Sequence, residues 1–244
     1  MGDPLNLSQT LSSKIKKFNN TILKDMTKIQ LHLLGFISIL ILWTSCASVT
    51  GFQDGRTLGK EKIELSSSLN FSRSPKLANT DNDNWDALEN IFWPNVEVGG
   101  RYGVLEDLDI NFRFNTSANI SAGVKYPLYG GKDSPIAFSV GGEVGSIGFL
   151  ALWNLQLPAY FSYHPSEKIA LYLSPRYIYQ FSSYVGSGYG INYLGFNTGF
   201  LVGKRNKFGL DIGYYSLGNR SASTWIDLLQ IGFGGRFLLF DKKN

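Results

Sequence analysis

One cysteine, two histidines and two methionines in 244 residues exclude several kinds of chemistry at once. A single thiol cannot build a disulfide framework, nor a zinc cluster resting on paired cysteines. Charge is scarce too: 17% of the residues are Asp, Glu, Lys or Arg, against roughly 25% in an average soluble chain. The formal net charge of +4 is concentrated before residue 47, where Lys14, Lys16, Lys17, Lys24 and Lys28 face only Asp3 and Asp25. The remainder lies within one charge of neutrality, so a nucleic-acid partner has no electrostatic footprint. No apolar run is long enough to span a bilayer as a helix: residues 31–43, broken only by His32, Gly35 and Ser38, fall short of the roughly 20 positions required. What the chain has in quantity is aromatic side chains, at 14%, and glycine, at 27 residues.

The short apolar run fits the core of a secretory signal. Lys28 supplies the positive charge before it, and Thr44, Ser45, Cys46, Ala47 and Ser48 supply small or polar residues after it, as a cleavage region requires. Residues 42–46, Leu-Trp-Thr-Ser-Cys, resemble the lipobox of bacterial lipoproteins, which implies Cys46 as the acylated first residue of the mature chain. That family places Leu, Val or Ile three positions before the cysteine, where Trp43 stands here. An ordinary signal whose Cys46 is removed or left free is the alternative. Met26 directly abuts the apolar core, so residues 26–45 read as the signal peptide, residues 1–25 as a possible upstream extension, and residues 46–61 as a periplasmic tether.

From Lys62 to Phe240 the chain alternates apolar with polar or small residues, the period-2 pattern of strands with unlike faces. Leu108, Ile110, Phe112 and Phe114 share one face, and Asp109, Asn111, Arg113 and Asn115 the other; Ile120, Ala122, Val124 and Tyr126 likewise oppose Ser121, Gly123 and Lys125. Ten such runs and no convincing long helix predict an all-β fold. The connections alternate in length. Residues 105–107, 130–133, 164–167 and 204–206 are short, whereas 73–94, 145–151, 183–190 and 217–224 are longer; residues 115–119 fall with the longer set but are short. An even number of antiparallel strands joined by alternating short turns and longer loops is the pattern of outer-membrane barrels.

On these residues the segment 62–240 resembles a small bacterial outer-membrane β-barrel. The resemblance implies a ten-stranded antiparallel up-and-down transmembrane barrel, with short periplasmic turns and longer outer loops. It also implies that Gly234, Phe237, Leu239 and Phe240, in the last strand, act as the signal read by the barrel insertion machinery; residues 241–244 extend beyond it as a tail.

Parity alone leaves both directions open for the apolar face, inward as in a soluble ligand carrier or outward as in a membrane barrel. Composition favours outward. The polar face is mostly Gly, Ser and Asn, too poor in charge for a soluble surface, and Phe71, Tyr126, Tyr163, Tyr177 and Phe196 suit an interfacial girdle. The lumen then receives Glu64, Glu97, Asp109, Glu143 and Asp211 together with Arg101, Arg113, Lys125, Arg176 and Arg236. Equal numbers of acids and bases point to an ion-paired network that fills the inside, since an unpaired buried ion is very costly; a selective conduit is the other reading. Arg113 and Arg176 are both expected to hold carboxylates.

Catalytic and metal motifs are sparse. Outside the leader the only histidine is His164, beside Pro165, read as a solvated turn residue rather than a base or ligand. Asp81, Asn82, Asp83 and Asn84 resemble the start of a calcium loop but lack the glycine its turn needs at position 86; Asn84 could instead cap a short helix. The glycines of 130–131 and 186–190 read as turn chemistry. The sequence therefore predicts a non-catalytic outer-membrane barrel with a mostly plugged lumen, in a structural, adhesive or narrow transport role. It predicts no metal or other cofactor, and outer-membrane lipids and the insertion machinery as partners. A soluble periplasmic barrel binding a lipid or small ligand is the alternative.

Overall fold

The computed structural model describes residues 49–73, 92–148, 150–182, 190–218 and 225–241, all within the compact unit 45–244. The signal peptide, the upstream extension, Cys46, the calcium-loop resemblance, the glycine series of 186–188 and the tail after Asp241 lie outside the described residues.

Ten strands follow one another: β1 (Lys62–Arg73), β2 (Phe92–Leu105), β3 (Leu108–Asn115), β4 (Asn119–Tyr129), β5 (Ile136–Ile147), β6 (Leu152–Ser166), β7 (Ile169–Ser182), β8 (Gly190–Val202), β9 (Asn206–Gly218) and β10 (Trp225–Asp241). Each pairs antiparallel with its neighbour in sequence, and β1 pairs with β10 to close the barrel. Closure leaves no sheet edge with unpaired backbone groups. The register places Asp109 opposite Lys125 and Gly103, and Leu69 opposite Val96 and Phe233, so side chains of like parity share a face around the ring.

The apolar face points outward. In β3, Ile110, Phe112 and Phe114 are 45%, 52% and 47% exposed, while Asp109, Asn111, Arg113 and Asn115 are buried. The same inversion holds for Leu155, Leu157, Phe161 and Tyr163 against Asn154, Gln156, Tyr160 and Ser162 in β6. Period-2 alternation with the polar set inside places the polar core along the barrel axis.

The connections fall into two sets at opposite ends. At the turn end β2 passes to β3 through Glu106 and Asp107, β6 to β7 through Glu167 and Lys168, and β8 to β9 through residues 203–205. At the opposite end, the loop end, Arg73 pairs with Phe92, Ile147 with Leu152, Phe181 with Gly190 and Gly218 with Trp225, with the short connection 116–118 among them. Two expectations are corrected here. His164 belongs to β6 and is buried, facing the interior rather than solvent. Residues 49–58 of the expected tether run inside the barrel: Val49, Phe52, Asp54 and Leu58 are each at most 8% exposed. A polar interior offers hydrogen-bond partners to an extended backbone, so the segment needs no strand partner of its own.

The lumenal segment as candidate functional site

The alternation that sends Phe and Leu outward delivers all ten expected charged side chains to the inside of the wall, nine of them buried and Glu64 13% exposed. Arg101 bridges Glu64 at 3.0 Å and Asp109 at 3.6 Å. Arg113 bridges Glu143 and, at 3.7 Å, Glu97. Arg236 reaches Glu64 at 3.8 Å. The other three wall charges find different partners. Lys125 donates from Nζ to the backbone oxygens of Asp54 and Arg56 at 2.5 and 2.8 Å. Asp211 accepts from Tyr172, Asn197 and the Gly51 amide. Arg176 donates to the side-chain oxygen of Gln156 at 3.3 Å, and its Nε and Nη2 are buried without a hydrogen-bond partner among the described residues.

Residues 49–58 thread this wall. Near the loop end Val49 packs with Ile147, Ile178, Tyr193, Tyr215, Leu217 and Leu228, and the Thr50 carbonyl accepts from Arg113 Nη1 at 3.1 Å. Gly51 donates its amide to Asp211 Oδ2 at 3.2 Å. In the middle Phe52 packs with Ala170, Tyr172 and Leu201, and the Asp54 carboxylate accepts from Arg236 Nη2 at 2.6 Å. Gly55 donates to Ser162 Oγ at 2.9 Å, and its carbonyl accepts from Ser139. Towards the turn end the Arg56 guanidinium donates to the Ser134 carbonyl, Thr57 donates to the Glu106 carbonyl at 3.2 Å, and the Leu58 amide is shared between both oxygens of Asp109 at 3.1 Å. With Arg101 donating to the Arg56 carbonyl at 3.3 Å and Ser174 to the Gln53 carbonyl at 3.5 Å, seven strands, β2, β3, β4, β5, β6, β7 and β9, bond directly to the segment's backbone.

Most of these contacts read backbone atoms, so the wall recognises an extended chain, with side-chain identity expressed at Phe52, Asp54 and the glycines. A Cβ at Gly55 would collide with the backbone oxygen of Ala137, and one at Gly103 would collide with the backbone of Gly59 where the segment leaves the lumen. Asp54 and Arg56 add one acid and one base, which preserves the balance of the wall. His164 lies beside this pair: its Nε2 is 3.0 Å from Ser162 Oγ and 4.0 Å from Asp54 Oδ2.

The expectation that Arg176 holds a carboxylate directly is not what the structure shows, and it separates two substitutions. Arg113→Ala removes the ion-pair partner of buried Glu143 and is expected to cost about 3–5 kcal/mol, the range for breaking a buried pair from one side. Arg176→Ala removes a cation bonded to an amide and should cost clearly less. Urea midpoints of the two variants refolded in the same detergent check the order.

The expected insertion residues lie along β10. Gly234 turns its missing side chain towards Ser68, where a Cβ would press on the Ser67 carbonyl and the Ser68 side chain. Leu239 and Phe240 are exposed on the exterior at 55% and 52%, beside the register shift between Ile63 and Glu64. The wall residues were legible from parity; Asp54 and the rest of the segment were not. The spacing of Gly51, Gly55 and Gly59 in a polar stretch was the available signal.

No protein-family model matches the chain, and no curated protein matches it. Among solved structures it is similar to Neisserial surface protein A, at 14% identity over 72% of this chain and 96% of that one, with a TM-score of 0.35. It is also similar to Ail, the attachment invasion locus protein of Yersinia pestis, at 14% identity over 73% and 99%, with a TM-score of 0.29. The outer membrane protein OprG of Pseudomonas aeruginosa matches at 10% identity over 78% and 100%, with a TM-score of 0.30.

Proposed function

We propose that this chain is a non-catalytic outer-membrane barrel whose lumen is closed by its own residues 49–58, and that it acts through its loop end as a structural or adhesive element. The carrying observation is the segment itself, hydrogen-bonded on several sides to wall residues along the barrel axis. A conduit needs an open path, and a segment bonded along the axis argues against one. The exterior supports the membrane: an exposed belt of Phe, Leu, Ile, Val and Tyr runs around the strands, as a lipid-facing surface requires. Charged groups gather at the turn end, where Lys132 meets Glu106 and Lys204 meets Glu167. The soluble ligand-carrier alternative asks for the opposite, a charged outside and an apolar cavity inside. Cys46 acylation, and recognition of Gly234, Phe237, Leu239 and Phe240 by the insertion machinery, belong to this same reading.

In planar bilayers the intact protein should give no large, steady single-channel currents; such currents would overturn the closed-lumen reading. The lipid-facing assignment has its own check. Leu157 sits midway along β6 and is 62% exposed, so Leu157→Arg should cost about 2–4 kcal/mol in a bilayer, as for a cation at the midplane of a barrel exterior. Reversible unfolding in liposomes reads this. An effect near zero would favour the soluble barrel.

A further inference from the structure

The direction of the lumenal segment fixes the end of the barrel at which it starts. Val49 packs with Ile147 and Leu217, which stand at or next to the ends of β5 and β9 and lead into the 148–151 and 219–224 connections. At the other end of the segment, the Leu58 amide is bonded to Asp109 and the Thr57 hydroxyl to the Glu106 carbonyl, beside the β2–β3 turn. The chain then reverses at Gly59, whose φ of 81° suits glycine. Glu61 bonds to the Gly103 carbonyl, and the chain returns towards the loop end as β1. The lumen is thus crossed from loop end to turn end before the first strand begins.

We propose that the mature chain opens on the loop face of the barrel, so that the protein presents its N-terminus on the same side as its long loops. The lengths fit. Ten extended residues reach at most about 33–36 Å, enough to cross an apolar band of about 25 Å with its rims. Three further residues back to Cys46 add at most about 11 Å, so a chain starting there starts at the loop face. An acyl group on Cys46 would enter the leaflet on that side, not the periplasmic one. That the loop face is the cell surface rests on the outer-membrane reading above; that the N-terminus accompanies the loops does not.

The test inserts one epitope into the full-length protein at three places, between Ser48 and Val49, within 219–224, and between Gly131 and Lys132. Antibody binding is compared on intact and permeabilised cells. The N-terminal and loop epitopes should be reached on intact cells, and the turn epitope only after permeabilisation. An N-terminal epitope that behaves like the turn overturns the inference, while loops and turns that still separate leave the outer-membrane reading standing. A turn reached on intact cells with a hidden loop overturns the orientation instead, and the N-terminal epitope must then be hidden with the loop. Should the insertions block assembly, Thr50→Cys with Gln230→Cys in a Cys46→Ala background gives a second readout. Thr50 Oγ1 and Gln230 Nε2 lie 3.3 Å apart, so a short bifunctional thiol cross-linker that spans the Gln230 side chain's length should join the two cysteines in the folded barrel; failure to join in folded protein whose single cysteines both react overturns the inference.

Discussion

Deleting residues 49–58, so that Ser48 runs directly into Gly59, is expected to turn a silent barrel into a conducting one, with resolvable single-channel steps in planar bilayers. The wall left behind is lined by Asp109, Lys125, Ser139, Ser162, Asp211 and Arg236, polar groups that water would hydrate once the segment is gone. Ten strands enclose more room than the eight whose interior side chains just fill, and glycines on the inner wall, such as Gly103, hold no side chain to close the gap. Water that enters also restores solvation to the stranded charges. The loss of stability should therefore be smaller than the number of broken bonds suggests. A deletion variant that folds and stays silent would show that wall side chains alone shut the lumen.

Asp54→Ala should be the more damaging change for stability although it removes a single carboxylate. The backbone of the segment still fills the lumen, so Arg236 stays buried, at 3% exposure, after losing its 2.6 Å partner. Breaking a buried pair from one side costs about 3–5 kcal/mol. Glu64, 3.8 Å from the same guanidinium, keeps the expected loss near the lower end, about 3 kcal/mol. Asp54→Asn retains an acceptor and should lose less. Denaturant midpoints of the Asp54→Ala and Arg236→Ala variants and of their double mutant give the coupling energy directly; a coupling indistinguishable from zero would mean that the pair does not hold the segment.

The barrel was legible because its two faces meet different surroundings. Lipid or apolar contact on one side and a polar interior on the other impose an alternation that survives in β3 as Ile110, Phe112 and Phe114 against Asp109, Asn111 and Arg113, so strand number and the face shared by the wall charges could be read from parity, while composition chose which face turns inward. Individual pairings were less legible, because parity gives a side chain's face but not its partner: Arg113 meets Glu143, whereas Arg176 meets Gln156. The lumenal segment was hidden for a different reason. Its backbone bonds to side chains rather than to a neighbouring strand, so no register forces residues 49–58 to alternate, and a polar stretch with glycines at 51, 55 and 59 reads as a linker. His164 was misread by the same route, since a histidine next to Pro165 suggests a turn, yet β6 continues to Ser166.

Whether the segment before β1 is bound inside the barrel is read by amide hydrogen exchange of the folded protein in lipid nanodiscs, followed by mass spectrometry on peptides covering residues 49–58. The amides of Gly51, Gly55 and Leu58 are bonded to Asp211, Ser162 and Asp109, so protection comparable with that of the flanking strands is expected. Exchange of this segment at the rate of an unstructured peptide, with the strands still protected, would contradict it.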